Sequence, residues 1–211
     1  MGIIEEISAN VQKGKAKVVV SLVEQAIDEG VPVQQILDEG LIAAMDVVGE
    51  LFRKDELYIP EVIIVAKAMN AGVAVLKPLL AEDDVKSKGK ACIGTVKGDL
   101  HDVGKNLVKM MMECKGLEVI DLGMDVSPDQ YIECVMENGC QIVCCSALLT
   151  TTMPVMAEVV KATENAGIRN KVKIMVGGAP VTEEFCKSIG ADAYAPDAGS
   201  AAMKAVELLT L

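Results

Sequence analysis

The sequence predicts an α/β chain in which a helical bundle precedes a doubly wound, parallel five-stranded sheet. Three observations carry that expectation. Apolar residues recur at helical spacing over residues 1–81, a charged segment without periodicity follows at 82–89, and from residue 90 five short β-type runs alternate with helical patterns. Of the 211 residues, 51% are hydrophobic, enough for a packed core. With no Trp, two Phe and three Tyr, that core is built from Val, Ile, Leu, Ala and Met, a composition suited to packed helices and a buried parallel sheet.

Ile3, Ile4, Ile7 and Val11 mark the first helix, and Val19, Leu22, Val23, Ala26 and Ile27 the second. Gly30 ends the second and Pro32 opens the next, which is expected over 33–52. A further helix is expected over 60–80, with Pro60 in its first turn. The segment Glu82-Asp83-Asp84-Val85-Lys86-Ser87-Lys88-Gly89 reads as an interdomain linker, leaving domains at 1–81 and 90–211. Beyond it, strands are expected at 91–96, 118–122, 141–146, 173–176 and 193–195. Helices are expected at 103–114, 129–138, 153–166, 182–189 and 199–209.

The formal net charge of −11 disfavours nucleic acid and anionic membranes as partners. No uninterrupted apolar run reaches the roughly 18 residues that span a bilayer. The first residues, Met1-Gly2-Ile3-Ile4-Glu5-Glu6, lack a basic region and a cleavage site, so a cytoplasmic location is the expectation. Seven cysteines, an odd number without a CxxC pair, read as reduced thiols serving as small buried hydrophobes rather than as a zinc or iron–sulfur site.

Ligands on a doubly wound sheet bind beyond the carboxyl ends of the strands, which selects three loops. The first, Gly98-Asp99-Leu100-His101-Asp102-Val103-Gly104-Lys105-Asn106, contains the chain's one histidine. A metal-binding imidazole needs its second nitrogen held by a carboxylate or carbonyl, and Asp99 is placed to do so; Gly104 permits close backbone approach. An idle, solvated histidine is the bland alternative. The second loop, Ser146-Ala147-Leu148-Leu149-Thr150-Thr151-Thr152, gathers four hydroxyls, of which Thr151 or Thr152 could simply cap the helix after it. The third, Gly177-Gly178-Ala179-Pro180, is Gly-rich and alone signals no more than a turn.

Taken together, Asp99-x-His101-x-x-Gly104, Ser146-x-Leu148 and Gly177-Gly178 resemble the B12-binding module shared by cobalamin-dependent methionine synthase, B12-dependent mutases and small methyltransferase corrinoid proteins. The resemblance implies a Rossmann-like B12-binding domain in which His101 ligates cobalt in place of the benzimidazole base. Asp99 would hold its other nitrogen and Thr152 would extend that relay. Ser146 and Thr150 would line the slot for the displaced nucleotide tail, and Gly178 would keep it open. Gly98, Leu100, Asp102, Val103, Gly104, Leu148, Gly177 and Ala198 are the further cofactor-binding residues implied. In the first half, Met45-Asp46-Val47-Val48-Gly49-Glu50-Leu51-Phe52 and Leu57-Tyr58-Ile59-Pro60-Glu61-Val62 resemble the helical cap of methionine synthase and the methyltransferase corrinoid proteins, which the mutases lack. Phe52, Leu57, Ile59 and Val62 would line that cap, the alternative being plain bundle core.

The function so implied is a corrinoid protein that carries a methyl group on the cobalt of cobalamin or a related corrinoid. It would pass between a substrate-specific methyltransferase and an acceptor methyltransferase working on tetrahydrofolate or a thiol, with a reductive-activation protein as a further partner. The donor would be a methylamine, a betaine or a methoxylated aromatic. The chain would be a carrier subunit rather than a complete enzyme, with segment 82–89 as the hinge of a moving cap. A B12-based sensor is the alternative from another class, although the acidic first helices lack a basic recognition helix. A flavodoxin-like nucleotide-binding domain would leave Asp99 and His101 unexplained.

Overall fold

The computed structural model describes residues 2–79 and 87–210. The chain divides into two units, Met1–Lys86 and Ser87–Leu211. Residues 82–86 of the expected linker lie outside the described residues. Its last two already pair within the second unit, where Lys88 N donates to Gly116 O at 2.9 Å and Gly89 O accepts from Glu118 N at 3.0 Å.

The first unit is helical: α1 (Ile3–Gln12), α2 (Ala16–Asp28), α3 (Val33–Gln35), a π-helical segment (Ile36–Ile42), α4 (Ala43–Arg53) and α5 (Ile59–Leu76). Carboxylates anchor two of the starts: Glu5 accepts from Gly2 N at 3.1 Å and Glu61 from Tyr58 N at 2.8 Å. The helix expected at 33–52 is interrupted by the π segment. Its wider turn points Ile36 and Leu41, five residues apart, inward together, and both are fully buried. Gly40 within it would, with a Cβ, meet Ile7 Cγ2 at 3.2 Å, so α1 packs directly on its backbone. Helix α5 has the length and apolarity to cross a membrane, but Glu61, Lys67 and Asn70 interrupt it. It serves as a core helix of the bundle, burying Val62, Val65, Ala66, Ala68, Met69, Gly72 and Leu76. At Gly72 a Cβ would lie 2.8 Å from Leu41 and 3.0 Å from Val19, which explains how closely α2 and α5 approach.

The second unit alternates β1 (Lys90–Val96), α6 (Val103–Cys114), β2 (Glu118–Val126), α7 (Pro128–Asn138), β3 (Ile142–Ser146), α8 (Pro154–Asn165), β4 (Lys173–Gly177), α9 (Glu183–Ser188), β5 (Ala193–Tyr194) and α10 (Ala198–Leu209). All strand pairs are parallel, in the order β2-β1-β3-β4-β5. The chain reverses its direction of winding between β1 and β3, the switch point at which such sheets bind ligands. Helices α6 and α10 pack together, as do α7 and α8. Central strand β1 is buried from Ala91 to Val96, whereas edge strand β2 carries the exposed Glu118 and Asp121, charges that discourage further pairing.

Strand β2 runs four residues beyond the expected 118–122. Gly123, with φ +84, ends the apolar pattern in the sequence, but in the fold it marks an irregularity in the β1–β2 register, after which pairing resumes at Val96 and Val126. Gly94, beside that irregularity, faces Tyr131. A Cβ there would lie 2.7 Å from Tyr131 Oη and 3.0 Å from Val126 Cγ2, and both residues are fully buried. Gly94→Ala should therefore overpack the sheet and cost about 1–3 kcal/mol. The measurement is urea unfolding, with the midpoint falling at constant slope; an unmoved midpoint would show that the Tyr131 ring can yield.

Candidate functional site

The loop from β1 to α6 rises at the switch point. Gly98 turns it with φ +85, and the Thr95 hydroxyl, fully buried in β1, donates to His101 O at 2.9 Å. Asp99 N donates to Val96 O at 3.1 Å, so the Asp99 side chain enters the sheet's end rather than solvent. That side chain is 0% exposed.

Five donors converge on the Asp99 carboxylate. Oδ1 lies 2.7 Å from His101 Nδ1 and accepts from His101 N at 3.1 Å. Oδ2 accepts from Leu148 N at 2.8 Å, Leu149 N at 3.2 Å and the Thr152 hydroxyl at 2.9 Å. Burial alone would push this carboxyl up. The hydrogen bonds from His101, Leu148 and Thr152 outweigh it and hold Asp99 well below the ordinary carboxylate range. An ionised carboxylate only accepts, so the proton between Asp99 and His101 sits on Nδ1. In the neutral imidazole, Nε2 then presents a lone pair, and the side chain is 51% exposed.

Thr152 takes part in this network. It does not cap α8, whose N-cap is Met153 with no side-chain bond. Instead it is buried against Asp99, with Leu149 O at 2.9 Å as a second acceptor. Thr150 and Thr151 are exposed and Ser146 is half-buried. Ala147 N donates to Gly177 O at 3.2 Å, and a Cβ at Gly178, with φ +129, would collide with the Ala147 carbonyl oxygen. Glycine there lets the loops after β3 and β4 touch. Ala198 is buried at the start of α10, which Asp197 caps by accepting from Ser200 N at 2.8 Å. A Cβ at Gly104 would meet no protein atom within 4 Å, so the close approach expected there is to nothing within the described chain.

The loops that hold Asp99 and His101 carry exposed apolar side chains: Leu100 and Val103 are 68% and 65% exposed, with Leu148, Leu149 and, beside Asp125, Met124 also open to solvent. An imidazole lone pair on loops that carry exposed aliphatic side chains fits the flat, largely apolar face of a metallated macrocycle. In the helical unit, Phe52 at the end of α4 and Leu57 in the following connection are half-buried, Ile59 opens α5 exposed, and Val62 is fully buried.

Residues 89–207 match the family model described as B12 binding domain, and residues 3–77 match a second model with the same description. The chain belongs to the B12-binding family. Among relatives of this B12-binding chain, the dimethylamine corrinoid protein 1 of Methanosarcina acetivorans is 41% identical over 98% of this chain and 97% of its own length. A solved cobalamin-binding protein from Desulfitobacterium hafniense DCB-2 superposes with a TM-score of 0.83 at 29% identity, covering 97% of this chain and 98% of that one. The methanol:cobalamin methyltransferase complex MtaBC from Methanosarcina barkeri contains a chain that superposes at 0.86 with 28% identity, covering 99% of this chain and 80% of that one.

Three further residues shape the loop that carries His101 without having shown in the sequence. Besides Thr95, Lys105 is buried at the start of α6, where its ammonium donates to Asp121 Oδ1 at 2.6 Å and fastens the helix to β2. Asp125 accepts from Gly98 N at 2.7 Å and donates its own N–H to Asp99 O at 3.1 Å. It does so with φ +56, a conformation that side chains rarely adopt. Asp125→Gly would keep that conformation without strain while removing the acceptor. Amide hydrogen exchange at Gly98 should then accelerate by about fivefold, the equivalent of one hydrogen bond of ~1 kcal/mol; unchanged exchange would show that Asp125 does not hold the loop.

Proposed function

We propose that this chain carries a methyl group between two methyltransferases, with His101 Nε2 as the group that would hold the cobalt of a bound corrinoid. The carrying observation is the orientation of that imidazole by a fully buried carboxylate which is itself tied to the neighbouring loop. A match to B12-binding models in both units, and to corrinoid proteins along nearly the full length, supports the same reading.

A bound corrinoid supplies a cobalt that accepts a methyl group and gives it up. The chain's own residues do the rest. Asp99 keeps the Nδ1 proton and so keeps the Nε2 lone pair directed outward, raising the donor strength of the ring. Thr152 and the Leu148 and Leu149 amides hold Asp99 ionised. Leu100, Val103, Gly104 and Leu148 offer the surface on which a corrin rests, with Asp102 and Gly98 at the loop's shoulders. Ser146, Thr150, Gly177, Gly178 and Ala198 belong to the slot for the nucleotide tail, and Phe52, Leu57, Ile59 and Val62 to a cap that shields the reactive side. The protein contributes position, ligand tuning and exclusion of water.

The donor substrate is assigned to a separate substrate-specific methyltransferase, by analogy with the methanol:cobalamin methyltransferase complex of Methanosarcina barkeri. A methylamine is the favoured class, given the likeness to the dimethylamine corrinoid protein of Methanosarcina acetivorans. An acceptor methyltransferase, a reductive-activation protein and a cytoplasmic setting complete the proposal.

Two experiments test it. Protein reconstituted with cobalamin and grown with 15N-histidine should show 15N superhyperfine splitting in the electron paramagnetic resonance spectrum of Co(II). Splitting from benzimidazole nitrogen instead would remove His101 from the cobalt. In parallel, cobalt methylation is followed in the visible spectrum with a methylamine-specific methyltransferase and its substrate; a protein that binds cobalamin but is methylated by no such partner would point to the sensor reading. For the relay, Asp99→Asn should lower corrinoid affinity or methylation rate about 10–100-fold and shift the Co(II)/Co(I) potential. Equal potentials in the two proteins would make Asp99 a structural loop residue only.

A further inference from the structure

At the opposite end of the sheet from His101, three of the seven buried thiols meet. Cys92 is the third residue of β1, Cys134 lies on α7, and Cys140 sits between α7 and β3. Their sulfurs all lie within 4.8 Å of one another, and Cys134 Sγ is 4.0 Å from Cys140 Sγ. Cys92 is separated from the end of β1 by four residues, about 13 Å of strand, so this cluster is not part of the corrinoid site.

We propose that Cys92, Cys134 and Cys140 form a three-sulfur site for a soft, thiophilic cation of low coordination number, of which Cu(I) is the representative. Metal–thiolate bonds of about 2.3 Å place three sulfurs about 4.0 Å apart around a planar three-coordinate ion. The present spacing needs only small side-chain adjustments to reach that figure. The donor set is sulfur alone, which selects soft d10 cations over magnesium, calcium or manganese. Among the described residues the cluster offers three ligands and no fourth, which disfavours a closed tetrahedral zinc site.

Of the three thiols, Cys140 is the one that its surroundings favour as a thiolate. Asn138 Nδ2 donates to Cys134 Sγ at 3.7 Å, and Gly139, with φ +67, turns the chain so that Cys140 comes back under the helix. Hydrogen bonding from Cys92 favours the ionised form of Cys140, the same pairing and burial push Cys92 up, and burial beside Cys140 pushes Cys134 up to about 11, so metal binding must displace the protons of those two. Cys134 and Cys140 are slightly exposed and Cys92 is not, so an ion would enter past the last turn of α7. Binding displaces the thiol protons to solvent, and retention should strengthen as pH rises.

The test uses the cobalamin-loaded protein under anaerobic conditions, with Cu(I) supplied as its acetonitrile complex and unbound metal removed by dialysis. The expected result is one retained copper per chain with three sulfur neighbours at about 2.3 Å in its X-ray absorption spectrum, cobalt content unchanged. Cys134→Ser and Cys140→Ser should lose that copper, while Cys114→Ser, altered elsewhere in the fold, should keep it. Should the serine variants fail to fold, the wild-type sulfur count and the protection of Cys134 and Cys140 from alkylation by bound copper decide the matter. No retained copper, copper ligated by nitrogen or oxygen, or a Cys134–Cys140 disulfide that forms in place of metal binding would each overturn the site.

Discussion

A carboxylate sealed away from water is costly unless every lone pair is used, and Asp99 uses them on two different loops. That requirement organises the carboxyl end of the sheet. The backbone after β3 must present two consecutive amides toward β1, and so Ala147 leans on the loop after β4, where a residue larger than glycine at 178 does not fit. From the other side, Asp125 must reach across from β2 in a left-handed conformation to hold Gly98. Four neighbouring strands thus contribute to the orientation of a single imidazole.

The order of the strands makes this possible. Because β1 lies between β2 and β3, its loop can be held from both sides, a constraint that an edge strand could not supply. The pair of buried Lys105 with Asp121 at the sheet's edge serves the same end on the helix side. Lysine placed at 2% exposure is tolerable only beside an acid, and the pair fixes the first turn of α6 against β2 just past His101.

Much of this was legible in the amino-acid order. Strand and helix alternation located the five strands and the α-helices of the second unit, though not the short 3-10 turn at Arg169–Lys171, since β1, β3 and β4 are short apolar runs bounded by glycine or charge, and the Asp99–His101 spacing announced the carboxylate–imidazole pair. What stayed hidden depended on contacts distant in sequence. Asp125 follows a glycine that reads as the end of a strand, and only the irregular β1–β2 register shows that the strand continues. Thr95 looks like any β-branched strand residue until its hydroxyl meets the His101 carbonyl. The π-helical segment at Ile36–Ile42 has the same apolar residues as an ordinary helix, and its wider turn answers to α1 packing against Gly40. The three converging cysteines have no short spacing to betray them, because one belongs to a strand some 40 residues before the others.

The open aliphatic side chains on the loops that hold Asp99 and His101 also bear on the colloidal behaviour of the chain. Leu100, Val103, Leu148, Leu149 and Met124 make a face that two copies could share whenever nothing else covers it. Opposing that self-association is a net charge of −11, which makes any two copies repel at low ionic strength. Repulsion of this kind is weakened by salt, whereas apolar attraction is not. Charge thus keeps copies of the chain with this face uncovered apart, and added salt narrows that margin.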